Sequence, residues 1–155
     1  MRRHHIGVVV KDMEKARQEL RNLYGELPGL DFVYDFKPDT VWTDGKIVEE
    51  EIVIRICMIE WLDGRHLELL QPVSGTNFEH YTFVQRTGGG IHHVAYYTPD
   101  RFTEYRARLL EQDAKILFES ETNDDRGYRR CCYLKLPGSG LVIEVAEPPK
   151  PHAAR

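Results

Sequence analysis

Two stretches decide the fold: GGGIHHVAYYTPDRFTEYRARL, Gly88–Leu109, and RHHIGVVVKDMEKARQEL, Arg3–Leu20. Laid over each other they keep a histidine doublet, a strand-length apolar run and an aspartate within a residue of the same place. Each run then gives way to helical spacing. In the first copy Asp12 is placed to cap a helix, Ala16, Leu20, Leu23 and Tyr24 make one apolar face, and Gly25 can stop it. In the second, Pro99 and Asp100 mark the start, and Phe102, Tyr105, Leu109 and Leu110 supply the face. Such self-similarity outranks local pattern, because it turns the chain into two copies of one unit.

Beyond each helix the chain is rich in strand patterns. LDFVYDF, EIVIRICMIEW and RHLELLQP alternate or run apolar in the first half, and AKILFES, RRCCYLKL and GLVIEVAEP do so in the second. Asp63-Gly64 and Pro137-Gly138 supply turns. Each half therefore reads βαβββ, and each ends on a carboxylate between aliphatic residues, LELLQP and VIEVAEP, on a strand that a proline closes. The predicted fold is α+β, a single domain over residues 1–155 with module 1 at about 1–74 and module 2 at about 91–148. The linker, about 75–90, is predicted to hold a short helix near Phe78 to Arg86 and a glycine hinge, and 149–155 reads as a loose tail.

Composition narrows the partners. The 21 Lys and Arg against 25 Asp and Glu are interspersed rather than blocked, which argues against a nucleic acid or an anionic membrane surface. No apolar run approaches the roughly 20 residues that cross a bilayer, and the first residues lead into a strand, so a cytoplasmic location is expected. Cys57, Cys131 and Cys132 are an odd count without CxxC spacing, read as small strand residues rather than a disulfide framework or zinc ribbon.

Strand parity selects the chemistry. Residues two apart share a face, so His5 points with Gly7 and Val9, and His93 with Ala95 and Tyr97. Glu68 lies opposite Leu67 and Leu69, and Glu144 opposite Ile143 and Val145. If the aliphatic side packs on the helices, these cover the outer face, and the His and Glu sides line the concavity of a cupped mixed sheet. Imidazoles and carboxylates in a concavity are costly unless paired or bound to a cation. Two of each, related by the repeat, form a set that one divalent first-row metal satisfies: His5, Glu68, His93 and Glu144. His4 and His92, the first of each doublet, fall on the other face and read as structural.

HHIGVVVKDMEKA, LELLQP, GGGIHHVAYYTPD and GSGLVIEVAEP together resemble the vicinal oxygen chelate (glyoxalase/bleomycin-resistance/dioxygenase) superfamily, and they span nearly the entire chain. Within it, LELLQPVSGTNFEHYTFVQRTGGGIHH is most similar to the methylmalonyl-CoA epimerase family, although the His and Glu set alone fits glyoxalase I equally well. The stretch DFKPDTVWTDGKIVEEEIVIRICMIEWLDGRH is longer, more acidic and more aromatic than that family implies.

The resemblance implies the same four ligands for one divalent ion, Co, Mn, Ni, Zn or Fe. It also implies an isomerase that removes and returns the α-proton of an acyl thioester such as a CoA ester. Two acid/base groups must flank that carbon. Glu144 is the first expected, and Glu51, in VEEEIVIRI, the second. Arg126, Arg129 and Arg130 are cations of the kind CoA phosphates need. The alternatives are a glyoxalase I-type lyase, an extradiol-type dioxygenase, against which the fourth ligand speaks, and a metal-free antibiotic-binding protein. A homodimer is implied.

Overall fold

A computed structural model describes residues 2–61 and 63–150. In chain order the elements are β1 (Arg2–Val9), α1 (Met13–Tyr24), β2 (Val33–Phe36), β3 (Thr40–Thr43), β4 (Lys46–Ile47), β5 (Val53–Glu60) and β6 (His66–Ser74). They continue as α2 (Glu79–Thr87), β7 (Gly90–Tyr97), α3 (Phe102–Leu110), β8 (Lys115–Asp124), β9 (Gly127–Lys135) and β10 (Val142–Ala146). The fold is α+β with mixed strand pairing. The chain divides into two compact units, one of His4–Lys37 with Glu50–His92, the other of Pro38–Glu49 with the chain from His93 onward.

In the first unit the strand order is β2-β5-β6-β1, with β1 parallel to β6 and the other pairs antiparallel. Asp12 caps α1 by accepting from the Lys15 backbone N–H at 3.0 Å, and Gly25 closes it through its own N–H to the Arg21 carbonyl. The face of α1 that carries Met13, Ala16 and Leu20 packs with Leu27, Leu30, Cys57, Ile59 and Leu69, joined by Val8, Val10 and Leu67, whereas Leu23 and Tyr24, expected on this face, are exposed. Those strand residues all lie on one side of the sheet. His5 and Glu68 are thereby turned to the opposite side, as the register Ile6↔Leu67, Gly7↔Glu68, Val8↔Leu69 requires.

The loop before β2 passes tightly over β5. Gly29, at φ +85°, sits where an added Cβ would collide with the Met58 carbonyl oxygen. Gly29→Ala combines a left-handed backbone with this overlap and is expected to cost at least about 2 kcal/mol, read from urea unfolding midpoints.

The second unit has the order β7-β10-β9-β8-β3-β4, with β7 and β10 parallel and the rest antiparallel. Phe102 of α3 packs with Ala114, Cys132, Leu134, Ile143 and Val145, and Tyr105, Leu109 and Leu110 complete this face. Ile143 and Val145 point to the helix, so Glu144 points away from it.

The structure departs from the local sequence pattern at several places. Asp100 does not cap α3: it takes a left-handed φ of 58° inside a turn closed by the Arg101 N–H to the Thr98 carbonyl, and Arg101 stands at the N-cap without a side-chain bond. Pro72 does not close β6, which runs on to Ser74, because the pairing with β5 slips between Val53 and Ile54 opposite it. The long acidic stretch after β2 holds a hairpin. There β3 and β4 turn at Asp44-Gly45, and β3 joins β8 through Thr40↔Glu121 and Trp42↔Glu119. At the other end, Lys150 forms a two-way backbone bridge with Tyr128, whereas residues 151–155 of the expected tail lie outside the described residues.

Candidate functional site

Each unit carries one buried imidazole–carboxylate pair. In the first, His5 Nε2 lies 3.0 Å from Glu68 Oε2, on neighbouring parallel strands that both turn this face away from α1. In the second, His93 Nε2 lies 3.2 Å from Glu144 Oε2, and the register sets Glu144 between Ala95 on β7 and Tyr133 on β9. All four residues are less than a tenth exposed. Imidazoles and carboxylates at such burial need close partners, and in each pair the ring nitrogen and the carboxylate oxygen lie within 3.2 Å of one another. These are the residue types that hold divalent first-row metals.

Around the pairs stand residues that strand parity alone does not find. The Tyr133 ring lies 4.6 Å from the His93 ring, and Phe118 packs behind it at 5.4 Å. His4 Nδ1 meets His5 Nδ1 at 2.7 Å, so His4 turns toward its neighbour although its place on the strand assigns it to the other face. His92 does turn to the other side: its Nε2 lies 3.2 Å from Glu79 Oε1 at the start of α2, with its ring against Phe83 and His80. The signal for Tyr133 and Glu79 is in the pairing register and the helix docking, which no single stretch of sequence displays.

The remaining candidates have other partners. Glu51 precedes β5 with its side chain 73% exposed, and one of its carboxylate oxygens lies 3.6 Å from Lys37 Nζ. Arg126 and Arg129 bind Asp124, and the hydrogen bonds from Arg129 hold that carboxyl far below the usual carboxylate range. Arg130 donates to Glu147 and lies over the Phe102 ring. Burial pushes the thiols of Cys57 and Cys132 up, away from the reactive thiolate, in keeping with strand-filling roles.

Two repeated strand–helix–strand units, each with its own buried His–Glu pair, define the class. The chain belongs to the Glyoxalase/Bleomycin resistance protein/Dioxygenase superfamily, whose sequence profile matches residues 4–133.

Among solved structures it is similar to methylmalonyl-CoA epimerase from Mycobacterium tuberculosis, at 21% identity over 96% of this chain and 88% of that one, with a TM-score of 0.59. A variant of the Streptomyces coelicolor methylmalonyl-CoA epimerase, in complex with 2-nitronate-propionyl-CoA, is similar at 19% identity over 96% and 97% of the two chains, TM-score 0.57. A variant of 4-hydroxymandelate synthase from Streptomyces coelicolor is similar at 14% identity, covering 99% of this chain but 49% of that one, TM-score 0.55. These likenesses concern the fold. No curated protein matches the chain in sequence. Among the described residues, no helix is long and apolar enough to cross a membrane.

Proposed function

We propose that the protein is a metal-dependent isomerase that removes and returns the α-proton of an acyl thioester, as a methylmalonyl-CoA epimerase does. His5, Glu68, His93 and Glu144 are proposed as the ligands of one divalent ion, a buried His/Glu set able to hold a metal. The observation that carries the reading is the recurrence of the same buried pair, Nε2 against a carboxylate oxygen, in both copies of the repeat. The donor chemistry fits: two neutral imidazoles and two carboxylates suit Co, Mn, Ni, Zn or Fe, and a cation offsets the carboxylates that burial would otherwise penalise. A bound ion of this kind supplies Lewis-acid polarisation of a carbonyl oxygen.

The chain's own task is proton transfer. Glu144 is proposed to take the α-proton from one face of the carbon while the electron pair left behind spreads onto the thioester carbonyl oxygen, and a second acid then delivers a proton to the opposite face. For the opposite face the proposal is Glu51, which would have to leave Lys37 to act. A homodimer in the cytoplasm, organised as one domain of two modules, belongs to the same reading.

A glyoxalase I-type lyase uses the same donor set, so the substrate decides between them. With stoichiometric divalent metal, methylmalonyl-CoA in deuterated solvent is expected to lose its α-proton NMR signal at a catalysed rate. Absence of exchange at saturating metal, with turnover of a thiol adduct of a 2-oxoaldehyde instead, would replace the isomerase by the lyase. A native protein that binds no divalent ion would sink the ligand set and leave a small-molecule binding protein.

A further inference from the structure

We infer that His4 is a positioning residue: with a metal bound, its Nδ1 accepts the Nδ1–H of His5 and so holds His5 in the tautomer whose Nε2 lone pair serves as the ligand. This rests on His5 being a ligand, as proposed above. The two Nδ1 atoms are 2.7 Å apart, a distance at which one nitrogen must carry the proton and the other the lone pair. His5 Nε2 faces the Glu68 carboxylate at 3.0 Å, on the side assigned to the ion; without an ion that nitrogen would donate to the carboxylate, so the tautomer inferred is that of the metal-loaded protein. A neutral imidazole that ligates through Nε2 keeps its proton on Nδ1, and that N–H, on a residue 5% exposed, needs an acceptor or pays for desolvation. His4 offers the acceptor when its own proton sits on Nε2.

The ring of His4 is held for this task. It stacks on His66 with centroids 5.7 Å apart and planes within 6°, and it meets the His5 ring nearly edge-on at 81°. His66 is the register partner of His5 across β1 and β6, so the surface that orients His4 is built into the same pair of strands as the ligand. The repeat does not account for this arrangement. The corresponding His92 directs its Nε2 to Glu79, and the two doublets thus use their first histidines differently.

Outer partners that fix a ligand's tautomer typically contribute 10–100-fold in metal affinity. The test uses zinc, which is diamagnetic, with affinity read by competition against a chelating dye and the His5 ring read by proton–nitrogen NMR. His4→Phe keeps a flat ring for His66 and removes the nitrogen; His4→Asn restores an acceptor near the same place. The expected results are a 10–100-fold weaker zinc affinity in His4→Phe, recovery of most of that loss in His4→Asn, and a protected His5 Nδ1–H resonance in the zinc-loaded wild type that His4→Phe lacks. Wild-type affinity in folded His4→Phe overturns the inference while leaving the ligand set intact. Should His4→Phe fail to fold, absence of the protected resonance from the zinc-loaded wild type overturns it equally. A wild type that binds no zinc removes the ligand assignment and this inference with it.

Discussion

Replacing His93 by alanine is expected to abolish stoichiometric divalent-metal binding, with a loss larger than the 10–100-fold that an outer partner contributes. The residue is 1% exposed, its Nε2 faces Glu144 and its ring packs on Tyr133, so truncation removes a donor and opens a void at once. In the metal-free protein Glu144 would lose its imidazole neighbour while remaining buried. Breaking a buried pair from one side costs about 3–5 kcal/mol. Both arms are measurable: metal content by mass spectrometry after dialysis, and the urea midpoint of the metal-free form. A folded variant that retained one equivalent of metal would remove His93 from the ligand set, whatever its stability.

The two buried His–Glu pairs are legible in the sequence because strand geometry is binary. Once the histidine doublets identify two module starts, parity turns His5 and His93 each away from the helix of its own unit. The aliphatic neighbours of Glu68 and Glu144 send those carboxylates to the same face as their partners. Helix packing of Val8, Leu67 and Leu69 in one unit, and of Ile143 and Val145 in the other, enforces this arrangement.

Less is legible where tertiary pairing overrides local pattern. The β3–β4 hairpin has the Asp44-Gly45 turn, but its strands are short, and their place beside β8 depends on a partner far away in sequence. Pro72 reads locally as a strand end; the slipped pairing opposite it lets the strand continue. His4 shows the limit of parity itself. A long side chain at a strand terminus can turn its ring to a sequence neighbour, and only the stack on His66 reveals that it has done so.

Membership of the superfamily does not choose the reaction, since isomerases, lyases and oxygenases share its fold and differ in what the site's residues do. The acid/base groups separate them. Glu144→Gln keeps the side-chain shape and an oxygen toward His93 but has no carboxylate to take a proton. It is expected to slow α-proton exchange of the methylmalonyl-CoA epimer that Glu144 serves by about 10²–10⁴-fold, with a smaller change in metal affinity than His93→Ala produces. Equal losses in both measurements would mean that Glu144 serves only as a ligand. Glu51→Gln gives the complementary reading. If Glu144 and Glu51 serve opposite faces, the Gln variant at Glu51 still exchanges the α-proton of one epimer but no longer that of the other, and interconversion stops. Its exposed position beside Lys37 makes a structural cost negligible, so a kinetic change reports on proton transfer. Unchanged exchange of both epimers would exclude Glu51 and return the second proton carrier to a group that the two buried pairs or their neighbours supply.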